Sequence, residues 1–348
     1  MVCSPRNFDT RVPALLLLTV LALTNLATVS SAGPDAPLEQ LQAHSVEMHE
    51  HLRPTVVSVL CEVKGEDNPK QGPYYGTGVI TTESGYILTS TSVVPPGAKD
   101  IRIILHNRKK KSARLVGASL RFEISLLKME GDNYSDLDLG DSEALELGSQ
   151  VYSAGNAFGL SHQQGHISFS SGIVSGLYST ESVYWQSQYN GLQMEVDSSI
   201  NPGTDGGPII NRKGELVGVI SLTADRARWM GMAVPVHLFR SYTRLLRSYE
   251  EDETAHTGTP YLGLEMRNTD RSDPTGIRVT SVTERSPAWF AGLREGDLVY
   301  RAAGKNVKKL SDFDSIMQNQ SVGDQFLVFV ERDSQRWSIL MKVGAQPL

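Results

Sequence analysis

Two cysteines in 348 residues leave little for oxidation to work with. Cys3 precedes an apolar run, and Cys61 lies in the β-patterned stretch TVVSVLCEV. Once the N-terminus is removed, Cys61 has no partner for an internal disulfide. A small packed hydrophobe is the expected role, with a bridge to another molecule as the alternative. Positive charge is also short. The 33 Lys and Arg face 39 Asp and Glu, a net charge of −6, which gives no reason to expect nucleic acid as a partner. There is no HExxH zinc pattern, internal repeat or low-complexity block. His44, Glu47 and His51 share a face of a helix expected over 37–52 and could bind a metal, but a solvated face of a docking helix is the stronger reading. No metal or cofactor is expected.

Long hydrophobic runs are scarce too. The run VPALLLLTVLALTNLATV, 12–29, follows Arg6 and Arg11 and precedes the small residues SSAG. Ser30 and Ala32 suit a signal-peptidase site, so 1–32 reads as a signal peptide and the exported chain starts near Gly33. A retained membrane anchor is the alternative. It is weakened by the run's length and by Thr19, Thr24 and Asn25. The expected location is periplasmic or secreted.

What is present is a long succession of short strands. After a helical segment over 33–53, stretches such as YYGTGVITT, YILTSTSVV, IRIILH, ARLVGAS, ISLLKME and ELVGVISL alternate with turns. They suggest a β-barrel or sandwich domain over 54–249. NRKKK, 107–111, reads as a polar hairpin tip, with contact to an anionic surface as the lesser reading. PVHLFRSYTRLLRSYE closes that domain as a helix, with Leu238, Tyr242, Leu245 and Tyr249 as its apolar stripe and Pro235 in its first turn. EEDETAHTGT, 250–259, reads as a linker. A second unit over 260–345 carries the strands YLGLEM and GIRVTSV and the helix SDFDSIMQNQ, with Ser311 as its expected N-cap. Trp289 and Phe290 form an apolar pair that suits either a contact patch or a core.

The stretches GTGVITTESGYILTSTSVV, LLKMEGD, GNAFGL, SSGIVSG, MEVDSSINPGTDGGPIINRKGELVGVIS and GMAVPVHL, then YLGLEM, SPAWFAGLREGDLV and the SDFDSIM helix, follow one another in this order. Together they resemble one family, the HtrA (DegP/DegS-like) serine proteases. The resemblance covers roughly 50–345. It implies a mostly β chain: a trypsin-like double six-stranded β-barrel followed by a PDZ domain.

The chemistry departs from the family. A serine hydrolase needs a hydroxyl nucleophile, an imidazole and an orienting carboxylate. At the family's histidine position stands Ser92, in TSTSVV; at its aspartate position stands Glu123, in FEISLLK; at its nucleophile position stands Asp205, in GTDGGP. The resemblance makes the N–H groups of Gly203 and Asp205 the oxyanion-hole donors, and the Asp205 carboxylate is expected to fold toward them. A cation held between Glu123 and Asp205 would have too few ligands. In the PDZ part the resemblance implies a carboxylate-binding loop at Tyr261, Leu262, Gly263 and Leu264. It implies a peptide-pairing strand through Met266 and an apolar wall of Phe313, Ile316 and Met317.

Two functions follow. The first is a proteolytically inactive relative that binds peptides or unfolded proteins with hydrophobic C-termini, as scaffold, chaperone-like holder or regulator of active HtrA-like proteases. The second is a serine endopeptidase of protein quality control. The family resemblance also implies a homotrimer as an oligomeric state.

Overall fold

The computed structural model describes residues 36–63, 73–157, 167–180, 189, 191–221, 231–269 and 276–347. The signal peptide expected over 1–32 lies outside them. The chain forms two units, 1–46 and 47–348. Helix α1, Ala36–Leu52, begins in the first, where Leu38, Leu41 and Val46 are exposed. Its last turns, in the second unit, bury Met48 and Leu52. Among the described residues no three His, Cys, Asp or Glu side chains are grouped to hold a metal. No helix there is long and apolar enough to cross a membrane.

The second unit opens with two closed six-stranded barrels. The first contains β1 (Val56–Glu62), β2 (Pro73–Ile80), β3 (Tyr86–Ser90), β4 (Lys99–Ile104), β5 (Lys110–Ser119) and β6 (Ile124–Met129). It closes in the order β1-β2-β3-β6-β5-β4. The period-two alternation of a strand is plain in β1: Val57, Val59 and Cys61 enter the first barrel's core, whereas Val56 joins a separate cluster outside it. Cys61 is buried and its thiol lies 3.2 Å from the Val93 carbonyl. Burial pushes the thiol up to about 12, so it is a packed, inert group rather than a bridge to another molecule.

The second barrel contains β7 (Gln150–Gly155), β8 (Ser168–Thr180), β9 (Gly191–Val196), β10 (Pro208–Asn211), β11 (Leu216–Ile220) and β12 (Gly231–Pro235). Val151, Val174, Met194, Val196, Ile209 and Val217 fill it. Helix α2, Val236–Glu251, follows β12 directly, with Pro235 at its N-cap rather than inside its first turn. Its buried face is Val236, Phe239, Tyr242, Leu246 and Tyr249. Leu238 and Leu245 are only partly buried, so the stripe is turned from the expected one. Phe239 and Leu246 face the cluster that also holds Val116, Phe122 and Tyr152, and this packing decides the rotation.

The remaining elements are β13 (Pro260–Tyr261), β14 (Leu264–Asn268), β15 (Ile277–Val282), α3 (Pro287–Ala291), β16 (Leu298–Ala302), β17 (Lys305–Asn306), α4 (Leu310–Met317), β18 (Gln325–Arg332), β19 (Gln335–Lys342) and β20 (Gly344–Ala345). The main sheet runs β14-β15-β16-β18-β19. Lys309, not Ser311, is the N-cap of α4; the Asp312 carboxylate accepts from the N–H of Lys308 (2.9 Å) and Lys309 (3.1 Å).

This domain docks on the first barrel through one edge and one helix. Edge strand β19 lies against β5, and Gln325 donates its side-chain amide to the Val116 carbonyl. Lys342 lies 3.5 Å from Glu250, which Arg114 also holds. Helix α3 supplies the apolar contact. Phe290 is buried against Tyr242, ring centroids 5.2 Å apart, and Phe122 at 6.4 Å. Trp289 meets Phe122 edge-on at 5.8 Å and lies under the Arg121 guanidinium at 3.9 Å. The expected pair is therefore an interdomain core contact and not an exposed patch. Replacing Phe290 with Ala removes a buried ring from both domains' contact. It should lower stability by about 3–5 kcal/mol, read as a fall in the urea midpoint.

Candidate functional site

The site lies where the two barrels meet. The first barrel contributes Ser92, in the turn after β3, and Glu123, which precedes β6. That turn closes with the N–H groups of Val93 (3.1 Å) and Val94 (3.0 Å) on the Ser90 carbonyl, so the strand ends sooner than YILTSTSVV suggests. The second barrel contributes the loop 201–207, ahead of β10, and Ser221, just past β11.

The loop 201–207 is held by its backbone. The N–H of Thr204 bonds to Asn201 O (3.0 Å), that of Gly206 to Ile220 O (2.8 Å) and that of Gly207 to Thr204 O (2.8 Å). Gly203 and Asp205, the two donors expected from the sequence, are not among these three. Their carbonyls are both taken by Thr77 of β2, through Oγ1 to Gly203 (2.7 Å) and N–H to Asp205 (2.9 Å). Thr77 thus stitches the loop to the opposite barrel, a role the sequence reading missed. Gly206 has φ +80°, and a Cβ there would sit 2.3 Å from both Thr77 O and Thr89 Oγ1. Only glycine fits.

Ser92, Glu123, Asp205 and Ser221 form two pairs across the seam. The Ser92 hydroxyl donates to Oδ2 of Asp205 and is itself 2.9 Å from the Ser90 hydroxyl. A side-chain hydroxyl from the opposite barrel is thus one donor to this carboxylate. The Glu123 carboxylate is buried and accepts from Ser221 Oγ at 2.6 Å. Glu123 adopts φ +52°, and its carbonyl accepts the Thr91 N–H at 3.0 Å. Burial, with the charge of Glu123 nearby, pushes the Tyr189 phenol well above its ordinary value. Ser221 was not singled out from the sequence; its only signal is its place at the end of ELVGVIS.

Chemically, this arrangement has donors and anions but no imidazole at position 92. A serine hydroxyl does not accept a proton near neutral pH. A carboxylate at 205 would yield a high-energy anhydride on attacking an amide.

In the PDZ-like domain, Gly263 has φ +73° and a Cβ would sit 2.2 Å from the Ser286 Cβ. The Gly263 carbonyl accepts the Thr283 N–H (2.8 Å), and the Leu262 carbonyl that of Ala288 (2.9 Å). The loop from Tyr261 to Leu264 thus packs on the start of α3. Leu262, Phe313 and Ile316 are buried in the domain core. Leu264, Met266 and Met317 pack on that core but keep some surface. Edge strand β14 lies beside α4.

Residues 76–219 match the family of trypsin-like peptidase domains, and 260–343 match the PDZ domain family. A "Probable periplasmic serine endoprotease DegP-like" of Pseudomonas putida (strain GB-1) is 30% identical over 290 residues, covering 81% of this chain and 58% of the relative. A protein of the same description from Halomonas elongata is 31% identical over 285 residues, covering 78% and 56%. The chain thus spans less than two-thirds of the length of these relatives. A solved HtrA-type protease, an AlgW variant with a decapeptide, has the same fold at a TM-score of 0.50 and 22% identity, covering 87% of this chain and 98% of that one.

The loop geometry yields a prediction that is independent of catalysis. Gly206→Ala should cost at least about 2 kcal/mol, because a strained φ and two clashes coincide. A thermal melt checks it; a melting temperature equal to the parent's would show that the loop relaxes.

Proposed function

We propose that this chain, which has the trypsin-like-plus-PDZ architecture of the HtrA (DegP-like) proteins, is an exported peptide-binding protein that does not cleave peptide bonds. The observation that carries the reading is the Ser92–Asp205 hydrogen bond. It occupies the seam where a protease of this fold needs a base and a nucleophile. Loss of either group from a serine protease costs roughly a millionfold in turnover. The second reading, a serine endopeptidase, is favoured by the descriptions of the relatives and by the intact loop around Asp205.

Degradation of an unfolded protein such as casein separates them. The purified chain and its Asp205→Ala variant should both leave casein intact. Cleavage by the parent alone would make Asp205 catalytic and overturn the proposal. A gain-of-function arm sharpens the result. Because Glu123 is already a carboxylate and the loop is already shaped, Ser92→His combined with Asp205→Ser should restore measurable hydrolysis.

Peptide binding is assigned to the PDZ domain. β14 is the sheet edge opposite the docked β19, so docking leaves it open for a strand-like peptide. Leu264, Met266 and Met317 supply apolar surface beside it, which suits a hydrophobic C-terminal residue. Anisotropy of a labelled peptide ending in valine should show saturable binding. Binding should be lost when the C-terminus is amidated and weakened at least about tenfold by Met317→Glu. Equal binding of acid and amide peptides would refute carboxylate capture. Unfolded proteins with hydrophobic C-termini and active relatives are the partners this reading implies.

A further inference from the structure

The β4–β5 hairpin concentrates positive charge on an acidic protein. Its tip is a tight turn: the Arg108 N–H bonds to Leu105 O (2.8 Å), the Leu105 N–H to Lys109 O (3.0 Å) and the Lys109 N–H to Asn107 Oδ1 (3.1 Å). Arg108 takes φ +63° to complete the turn. Arg108, Lys109 and Lys110 are exposed and Lys111 is half-buried. None of the four forms an ion pair among the described residues. Further down, β4 adds Lys99 and Arg102, with Asp100 beside them and Glu62 3.9 Å from Arg102. Among the described residues, opposite charge is thus paired at the base of the hairpin and not at its tip.

Four adjacent cations with no ion pair among the described residues repel one another, and the first barrel's apolar core does not include them. The barrel side of β4 is satisfied by Ile101 and Ile103. From Leu105 to Arg114 the sequence LHNRKKKSAR has no Phe, Tyr or Trp on which a base could stack. The chain's net charge of −6 would oppose wrapping by a long polyanion. A projecting tip can still meet a flat anionic surface, because charges further than about 10 Å from it are screened at 0.1 M salt.

We propose that residues 107–111 are a contact for an anionic lipid surface, acting through phosphate headgroups and without insertion. The proposal rests on the exported location argued above, which brings the chain to an envelope membrane. It does not depend on whether the chain cleaves peptide bonds. Each tip cation near such a surface strengthens binding about fivefold, the equivalent of ~1 kcal/mol.

The test is co-sedimentation of the full chain with two kinds of vesicle: phosphatidylcholine alone, and phosphatidylcholine containing phosphatidylglycerol. The difference between the two isolates the headgroup charge from any apolar attachment by residues 12–29. Three proteins are compared. One is the parent; one carries Arg108→Ser, Lys109→Ser, Lys110→Ser and Lys111→Ser. The third carries Lys213→Ser, Arg244→Ser, Lys305→Ser and Lys308→Ser, exposed cations elsewhere. Circular dichroism melts report folding of each. The expected result is phosphatidylglycerol-dependent binding by the parent and the third protein. It should fall by more than about a hundredfold in the hairpin variant and at about 1 M salt. No charge-dependent binding by the parent would overturn the proposal. Equal losses in the two variants would do the same, since net charge alone would then explain them. So would binding of the hairpin to duplex DNA with none to vesicles.

Discussion

A ring from the second domain completes the core of the first. Phe290 stacks on Tyr242 of α2 and packs against Phe122, and among the described residues no other large apolar group of the PDZ domain is fully buried in that cluster. Polar contacts fix its depth: the Ser119 hydroxyl donates to the Phe290 carbonyl, Arg121 Nε donates to the Trp289 carbonyl at 3.0 Å, and the Leu120 N–H reaches Ala291 O at 3.2 Å. The neighbouring Gly292, φ +100°, lets the chain turn away where a Cβ would meet Arg121 N at 2.9 Å. A helix of five residues could not hold a domain by itself. It does so here because an aromatic plug and three hydrogen bonds converge on one loop.

That loop, 119–123, ends at Glu123, and so the docking also positions one wall of the seam. The same short helix begins at Ser286, whose hydroxyl is 3.2 Å from the Gly263 carbonyl in the loop assigned to carboxylate capture. Loop 261–264, α3 and Glu123 therefore form one run of touching parts. The ion contacts of Glu250 with Arg114 and Lys342 brace the far side. Burial works to raise the Glu250 carboxyl, but Arg114 and Lys342 outweigh it and hold the group below its ordinary value. The two domains are joined on both flanks of β5, which leaves β14 facing away from the joint.

Much of this was legible in the sequence because it is local or periodic. The strands, the helix over 36–52 and the glycine turns follow from alternation, helical spacing and positions where φ must be positive. Long-range partners were not legible. The pair Trp289–Phe290 shows its apolarity in the sequence but not its destination, because Phe122 and Tyr242 are distant in the chain. The stripe of α2 was misread by one position for the same reason: Leu238 and Phe239 have equal claims until the surface they meet is known. At the seam, the identities of Ser92, Glu123 and Asp205 were readable, but their pairing was not. Hydroxyl-to-carboxylate contacts across two barrels leave no spacing signal, and neither Ser221 nor Thr77 belongs to a motif that names its partner.

The persistence of a nucleophile-type loop around a carboxylate has a structural explanation that requires no catalysis. The backbone bonds of 203–207 close the loop on itself and tie it to both barrels. Thr77 takes two carbonyls of the loop into the first barrel, and Gly206 and Gly207 exchange bonds with Ile220 of β11. A Cβ at Gly207 would meet Ala154 O at 2.4 Å, and one at Gly155 would meet Thr204 Cα at 2.9 Å. Gly206 is thus required by the approach of the first barrel, and Gly207 and Gly155 by close packing within the second, whatever side chain stands at 205. What that side chain decides is electrostatic. A serine there would leave the seam without a charge beside Ser92; an aspartate brings an anion that the Ser92 hydroxyl satisfies. The Ser92–Asp205 hydrogen bond therefore adds a tie between the two barrels, and the frame around it serves the fold whatever chemistry the seam carries.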